Sequence, residues 1–65
     1  MNGYTTYIVT AVWGDKTFRQ EVKMPEVGIP VEKEIDIAES VGMRLICSFN
    51  SLNERDADEV TTETV

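Results

Sequence analysis

The chain has no histidine, a single cysteine (Cys47) and only two prolines among its 65 residues. Histidine is the commonest general base and the commonest metal ligand, so its absence removes the usual candidates for both kinds of site. One cysteine cannot form an intramolecular disulfide, and a lone cysteine is typical of a reducing compartment. No apolar run approaches the roughly 20 residues that a helix needs to cross a bilayer, and nothing resembles a secretory signal. We therefore expect a soluble, cytoplasmic protein.

The sequence motifs that define enzymes and metal sites are also missing. There is no phosphate-binding loop, nucleophile elbow or dinucleotide fingerprint. Cys47 has no histidine to activate it and is expected to be a small buried hydrophobe. The acidic run at 56–59 fails as a calcium loop, because its sixth position is Thr61 and the sequence stops before the twelfth. We predict a non-enzymatic protein without a cofactor or metal.

Residues that favour β-structure are abundant near the start of the chain. Residues 4–13 are a nearly unbroken run of β-branched and aromatic side chains, and residues 17–24 alternate apolar with charged ones. Gly14-Asp15-Lys16 between them has the composition of a turn, so we predict a β-hairpin. Because the first strand is apolar on both faces, we expect it to be central in a sheet or covered by a partner chain.

The length of the hairpin loop decides which side chains share a face. A three-residue loop would set Ile8 and Val12 beside Phe18 and Val22. We favour an even-length loop, since Gly14 at its first position suits a type II′ turn. The even loop places seven residues on one face: Tyr7, Val9, Ala11, Trp13, Phe18, Val22 and Met24.

At the end of the hairpin, residues 24–30 form a connector that contains both prolines and one glycine. Apolar residues then recur with helical spacing over 31–41, and Gly42 is the expected helix stop. Residues 32–37 also alternate like a strand, so that alternative stays open. Residues 43–50 are predicted to form a third strand parallel to the first, with Leu45, Cys47 and Phe49 inward.

The predicted fold is a small α+β domain of ββαβ type, with a β-hairpin, one amphipathic helix and a third strand. Residues 1–60 constitute the single domain, and residues 61–65 are a C-terminal tail or an edge strand. Residues 54–59 are compatible with a short helical turn.

The net charge of −6 is unevenly distributed along the chain. Residues 25–39 and 51–65 each carry a net charge of −4, whereas residues 1–24 carry +1. Binding to phosphates requires clustered lysine and arginine, so nucleic acid is an improbable direct ligand. Glu32, Asp36 and Glu39 recur at helical spacing and form an acidic stripe, although a solvated helix face is the commoner explanation of such a pattern.

These features together predict a protein-binding module, an inhibitor or adaptor that docks an acidic surface on a basic partner. The partner could be a nucleic-acid-binding protein or complex. In format alone, the chain is similar to small phage-encoded inhibitors, a group that includes anti-CRISPR proteins and antitoxins; no residue motif carries this likeness. The predicted partner-binding residues are six acids and one aromatic: Glu32, Asp36, Glu39, Asp56, Asp58, Glu59 and Trp13.

Two other functions are compatible with the sequence. The first is a structural or oligomeric protein in which self-association, for example as a homodimer, buries the second face of the first strand. The other is a binder of single-stranded nucleic acid, which would stack bases on aromatic residues of the hairpin. The residues concerned are Tyr4, Tyr7, Trp13 and Phe18, beside Lys16, Arg19 and Lys23. The acidic segments weigh against this function.

Overall fold

A computed structural model describes residues 3–26, 28–52 and 57–65 of the chain. Its elements in chain order are β1 (Tyr4–Trp13), β2 (Lys16–Pro25), α1 (Val31–Asn50) and β3 (Glu59–Thr64). The strands form one antiparallel sheet in the order β2-β1-β3, and α1 packs on one face of it. The predicted α+β class and ββαβ order are confirmed.

The hairpin has the even-length loop that the sequence predicts. Trp13 pairs with Lys16 across a two-residue turn, and Ala11 lies opposite Phe18. Gly14 has a φ of 62°, and Ser51 is the one non-glycine residue with positive φ in the described part of the chain. Positive φ at the first turn position alone is the signature of a type II′ turn. β1 is the central strand, as its two apolar faces indicate.

The helix is 20 residues long and continues well beyond Gly42. It begins after Pro30, whose carbonyl oxygen accepts a hydrogen bond from the Glu34 N–H at 2.9 Å. The predicted helix stop at Gly42 is wrong because this glycine has a packing role. A Cβ atom at Gly42 would lie 2.5 Å from Cγ2 of Val9, so only a hydrogen lets the helix backbone approach β1 this closely.

The predicted strand over residues 43–50 is wrong as well, because this segment is the second half of α1. Met43, Ile46 and Cys47 are buried at helical spacing, whereas Phe49, predicted to point inward, is 73% exposed. Leu45, Cys47 and Phe49 alternate as the residues of a strand do. Met43, Ile46 and Cys47 also recur with helical spacing, and this spacing places all three on the helix face that packs against the sheet.

The helix ends in a left-handed residue, Ser51, with φ 56° and ψ 42°. The N–H of Leu52 donates a hydrogen bond to the carbonyl oxygen of Cys47 at 2.9 Å, which is the 6→1 bond of a Schellman motif. Leu52 then packs against the hydrophobic core. The motif therefore stops the helix and returns the chain to the sheet.

The third strand is β3, near the C-terminus, and it pairs with β1 in antiparallel orientation rather than the predicted parallel one. Thr61 lies opposite Thr10 at the middle of the pairing. β3 is an edge strand that includes residues 61–64 of the predicted tail. Of the predicted helical turn over 54–59, residues 54–56 lie outside the described residues, and Glu59 belongs to β3.

The hydrophobic core fills the space between α1 and the sheet. Side chains of β1 and β2 meet side chains of the helix there, and Trp13 and Phe18 pack at the margin. The buried members are Tyr7, Val9, Ala11, Val22, Met24, Ala38, Met43, Ile46 and Cys47.

Replacing Gly42 by alanine tests the close approach of α1 to β1. We expect Gly42→Ala to lower the free energy of unfolding by about 1 kcal/mol, because overpacking by about 1–3 kcal/mol outweighs a gain in helix propensity of about 1 kcal/mol. Ser40→Ala is the control, since Ser40 is an exposed helix position where alanine adds propensity without a clash. Urea unfolding measures both variants. An equal stabilisation by the two substitutions would contradict the contact.

Replacing Ser51 by glycine tests the helix end. A left-handed conformation costs an L-residue roughly 1–2 kcal/mol, and glycine avoids this cost. We expect Ser51→Gly to raise the Tm by roughly 7 °C, which corresponds to about 1 kcal/mol in a domain of this size. Ser51→Ala retains the Cβ atom and should give no comparable gain. A thermal melt followed by circular dichroism distinguishes the two outcomes.

Candidate protein-binding surface

The acidic stripe predicted on the helix is present, and we call Glu32, Asp36 and Glu39 the helix acids. Glu32 and Asp36 are exposed and form neither an ion pair nor a hydrogen bond with any other described residue. Glu39 is half-buried, and its Oε2 atom accepts a hydrogen bond from Oγ1 of Thr62 at 3.2 Å. The stripe therefore borders β3, with two of its three carboxylates fully available to a partner.

A second pair of carboxylates, Asp58 and Glu59, lies beside the hairpin turn, and we call them the tip acids. Oδ2 of Asp58 accepts a hydrogen bond from the N–H of Gly14 at 2.7 Å. The N–H of Asp58 donates to the carbonyl oxygen of Val12, also at 2.7 Å. These two hydrogen bonds of Asp58 hold the residue before β3 against the hairpin turn. Glu59 is exposed at the first position of the strand.

The two acidic groups are separate, because the helix acids lie on α1 whereas Glu59, which pairs with Val12, lies on the sheet face away from the helix. The tip acids are at the start of β3, whereas Glu39 contacts Thr62 further along the same strand. No group of three or more acidic or cysteine side chains in the described ranges could hold a metal ion. The sixth predicted acid, Asp56, lies outside the described residues.

Glu63 is a further exposed carboxylate of β3 that the sequence reasoning missed as a site residue. It lies opposite Ile8 and shares a sheet face with Glu59. The period of two in a strand relates Glu59 to Glu63, so this relation is visible once residues 59–64 are assigned to a strand.

Trp13, the one aromatic among the predicted partner-binding residues, is half-buried at the margin of the core. Its ring meets that of Phe18 edge-on, with centroids 5.7 Å apart and an interplanar angle of 67°. The Nε1 atom is buried and has no hydrogen-bond partner among the residues that the structure describes. Trp13 thus offers a partner much less surface than an aromatic side chain exposed at a hairpin tip would.

The aromatic residues of the hairpin do not form an exposed platform for stacking bases. Tyr7 is 2% exposed, and Trp13 and Phe18 pack beside the core on the same face of the sheet. Tyr4, at 67% exposure, belongs to the opposite face by strand alternation. The side chains of Tyr7, Trp13 and Phe18 are therefore largely covered by the protein itself.

Tyr7 and Glu34 form a buried polar contact between β1 and α1. The Tyr7 hydroxyl donates a hydrogen bond to Oε1 of Glu34 at 2.6 Å. Glu34 is the buried charged residue of the described part of the chain. A buried carboxylate needs such a donor, since an unpartnered one carries a large desolvation cost. This acid therefore anchors the helix and takes no part in the outer acidic surface.

An open pocket of about 210 Å³ lies between α1 and β3, lined by Glu39, Ser40, Met43 and Val60. Ligand pockets typically occupy roughly 300–1,000 Å³ and enclose most of the ligand. This pocket is smaller and adjoins the Glu39–Thr62 hydrogen bond. We regard it as a depression within the acidic side of the molecule.

Comparison with protein-family models, with curated proteins and with solved structures finds no match for this chain. Among the described residues, no helix is both long enough and apolar enough to span a bilayer.

The Tyr7–Glu34 contact predicts a shifted ionisation. The hydrogen bond to Glu34, followed by burial and the carboxylate charge, raises the pKa of Tyr7 above its ordinary value of 10.0. The unfolded chain then loses the Tyr7 proton at lower pH than the folded protein does, so stability falls as the pH rises above that ordinary value. Ultraviolet titration in a Tyr4→Phe background reports Tyr7 alone. Adding Glu34→Gln should lower the measured pKa of Tyr7; an unchanged value would contradict the contact.

Proposed function

We propose that this protein is a non-enzymatic, cytoplasmic protein-binding module, an inhibitor or adaptor that docks an acidic surface, centred on the helix acids, on a basic partner. The observation that carries the proposal is the exposure of Glu32 and Asp36, neither of which forms an ion pair with any other residue that the structure describes. The two lie one helical turn apart, about 6 Å along the axis. Rows of fixed carboxylates attract lysine and arginine on a partner and accelerate encounter.

Other acidic residues add negative charge. Glu39 belongs to the same helix stripe and is oriented by Thr62, whereas Glu59 is exposed at the start of β3 on the opposite face of the sheet. With a net charge of −6, the whole protein favours approach to a positively charged surface. A nucleic-acid-binding protein is a suitable partner class, because its phosphate-binding groove presents clustered lysine and arginine. Occupation of such a groove by carboxylates would inhibit it.

The test compares two charge-reversed variants of equal net charge. In Glu32→Lys/Asp36→Lys the substitutions are on the acidic surface. In the control, Glu21→Lys/Glu26→Lys, they replace two exposed acids, one in β2 and one just after it, at the edge of the sheet away from β3. Each immobilised chain is exposed to the heparin-binding protein fraction of an extract from the source organism, which is enriched in basic proteins.

We expect the wild-type chain and the control to capture the same protein and the helix variant to lose it. Equal loss in both variants would show that net charge alone determines capture, and full retention by the helix variant would contradict the proposed surface. With the captured protein purified, the association rate should fall steeply as salt is added, and the helix variant should flatten that dependence.

A further inference from the structure

The outer edge of β2 is a free strand edge. β2 is at one end of the sheet order β2-β1-β3, so among the described elements it pairs with β1 alone. Trp13 and Lys16 flank the two-residue turn and hydrogen-bond each other, as the outer residues of a β-turn do. Since this bonding alternates along an antiparallel pair, every second residue of β2 directs its N–H and C=O groups away from β1. These residues, which we call the edge row, are Thr17, Arg19, Glu21 and Lys23, and all four are exposed.

The charges of the edge row make it complementary to itself. Arg19 and Glu21 are on either side of Gln20, and their side chains share the sheet face away from α1. Charged side chains commonly protect an edge strand from pairing with another chain. Here their order permits one partner, because an antiparallel copy of β2 centred on Gln20 sets Arg19 opposite Glu21 and Glu21 opposite Arg19.

We propose that the free edge of β2 pairs with β2 of a second copy of this chain, antiparallel and about a two-fold axis at Gln20. Phe18 then lies opposite Val22 of the second copy, and Thr17 lies opposite Lys23. The whole edge row exchanges backbone hydrogen bonds, so the two three-stranded sheets become one continuous sheet. No like charges lie directly opposite one another, and those that are diagonal neighbours are about 7–8 Å apart.

The charges disfavour the neighbouring registers. Centring the pairing on Arg19 or on Glu21 sets that residue opposite its own copy, and the second choice also sets Arg19 opposite Lys23. Like charges directly opposite each other are destabilising. Centring on Val22 pairs Glu21 with Lys23 but sets Arg19 opposite Pro25, which has no N–H to donate. A slip of one residue sets outward-directed backbone groups opposite inward-directed ones. The register centred on Gln20 combines paired charges with complete hydrogen bonding.

An exposed apolar stripe on α1 is a second feature that fits this dimer. Ile37 and Val41 are 42% and 39% exposed, and Leu45, one turn further, is half-buried. Ile37 and Val41 are each two residues from Glu39, which contacts Thr62 of β3. Two residues turn a helix by about 200°, so these side chains are directed away from β3, toward the β2 side. We call the three residues the apolar stripe.

The two-fold axis brings the apolar stripes of the two copies together. Gln20 lies opposite Val9, and Val9 is in contact with Gly42, so the axis is level with the adjacent Val41. α1 contacts both β1 and β2. A helix midway between these strands is about 5 Å from the axis, which sets the two helices roughly 10 Å apart, the usual packing distance. Val41 then faces its own copy, and the stripes lose contact with water.

Sedimentation velocity over a dilution series of the full chain tests the dimer, and exchange of charges tests its register. Arg19→Glu sets acid opposite acid and Glu21→Arg sets base opposite base, twice in each dimer. We expect either substitution to weaken self-association by about tenfold or more. The double variant Arg19→Glu/Glu21→Arg keeps the wild-type net charge and restores opposite pairs, so it should dimerise as the wild type does. A double variant no stronger than the single ones would overturn the register. Circular dichroism verifies that each variant is folded.

Amide hydrogen exchange of the wild-type chain tests the edge without any substitution. The N–H groups of the edge row become hydrogen-bonded in the dimer, so their exchange should slow as the protein concentration rises. β3 supplies the control. The Val65 N–H donates to Thr6, so alternation directs the N–H groups of Val60, Thr62 and Thr64 outward, and their exchange should not change. A monomer at the highest attainable concentration, or slowing on β3 in place of the edge row, would overturn the proposal.

This dimer and the proposed acidic docking surface can fail separately. Glu32→Lys/Asp36→Lys leaves the edge row and the apolar stripe intact, so self-association should be unchanged; its loss would contradict the assignment to the β2 edge. Glu21→Lys also disrupts the edge pairing, so capture by the control variant of the docking test would show that docking does not require the dimer. Capture of a basic protein by a chain that never dimerises would remove the dimer alone.

Discussion

The contact between Gly42 and Val9 is the constraint on which the rest of the structure depends. A helix of 20 residues covers one face of a three-stranded sheet only if its backbone can approach the central strand, and Gly42 removes the side chain that would prevent this. The approach brings Met43, Ile46 and Cys47 into the core. Because α1 is the one helix among the described residues, it covers one face of β1, and no other described element covers the opposite face.

The position of the helix also sorts its acidic residues. Glu34 is directed inward and accepts the Tyr7 hydroxyl, whereas Glu32 and Asp36, two residues before and after it, are exposed. Glu39 is half-buried and lies at the border between α1 and β3. A run of acids that looks uniform in the sequence thus has two functions, since one member stabilises the fold and its neighbours are available to a partner. The distinction arises from the helical rotation of 3.6 residues per turn.

Local patterns predicted the hairpin correctly because the determinants of its register are local. Gly14 suits the turn, and alternation over residues 17–24 fixes the faces of β2.

Gly42 and residues 43–50 were misassigned for the opposite reason. Glycine ends many helices, and only the contact with the distant Val9 shows that Gly42 is a packing site. The pairing of β3 with β1 joins residues about 50 positions apart, which no local pattern reveals. The exposure of Glu32 and Asp36 followed from helical spacing, whereas the half-burial of Trp13 depended on Phe18 and the core.

The most direct test of this account is the nuclear Overhauser spectrum of the protein around Gly42. The account predicts cross-peaks between the Gly42 Hα protons and the Val9 methyl groups, together with unbroken sequential amide–amide cross-peaks from Val31 to Asn50. Strong sequential Hα–amide peaks over residues 43–50, with cross-strand peaks to β1, would instead show a strand there. That result would contradict the helix and the acidic surface derived from its position.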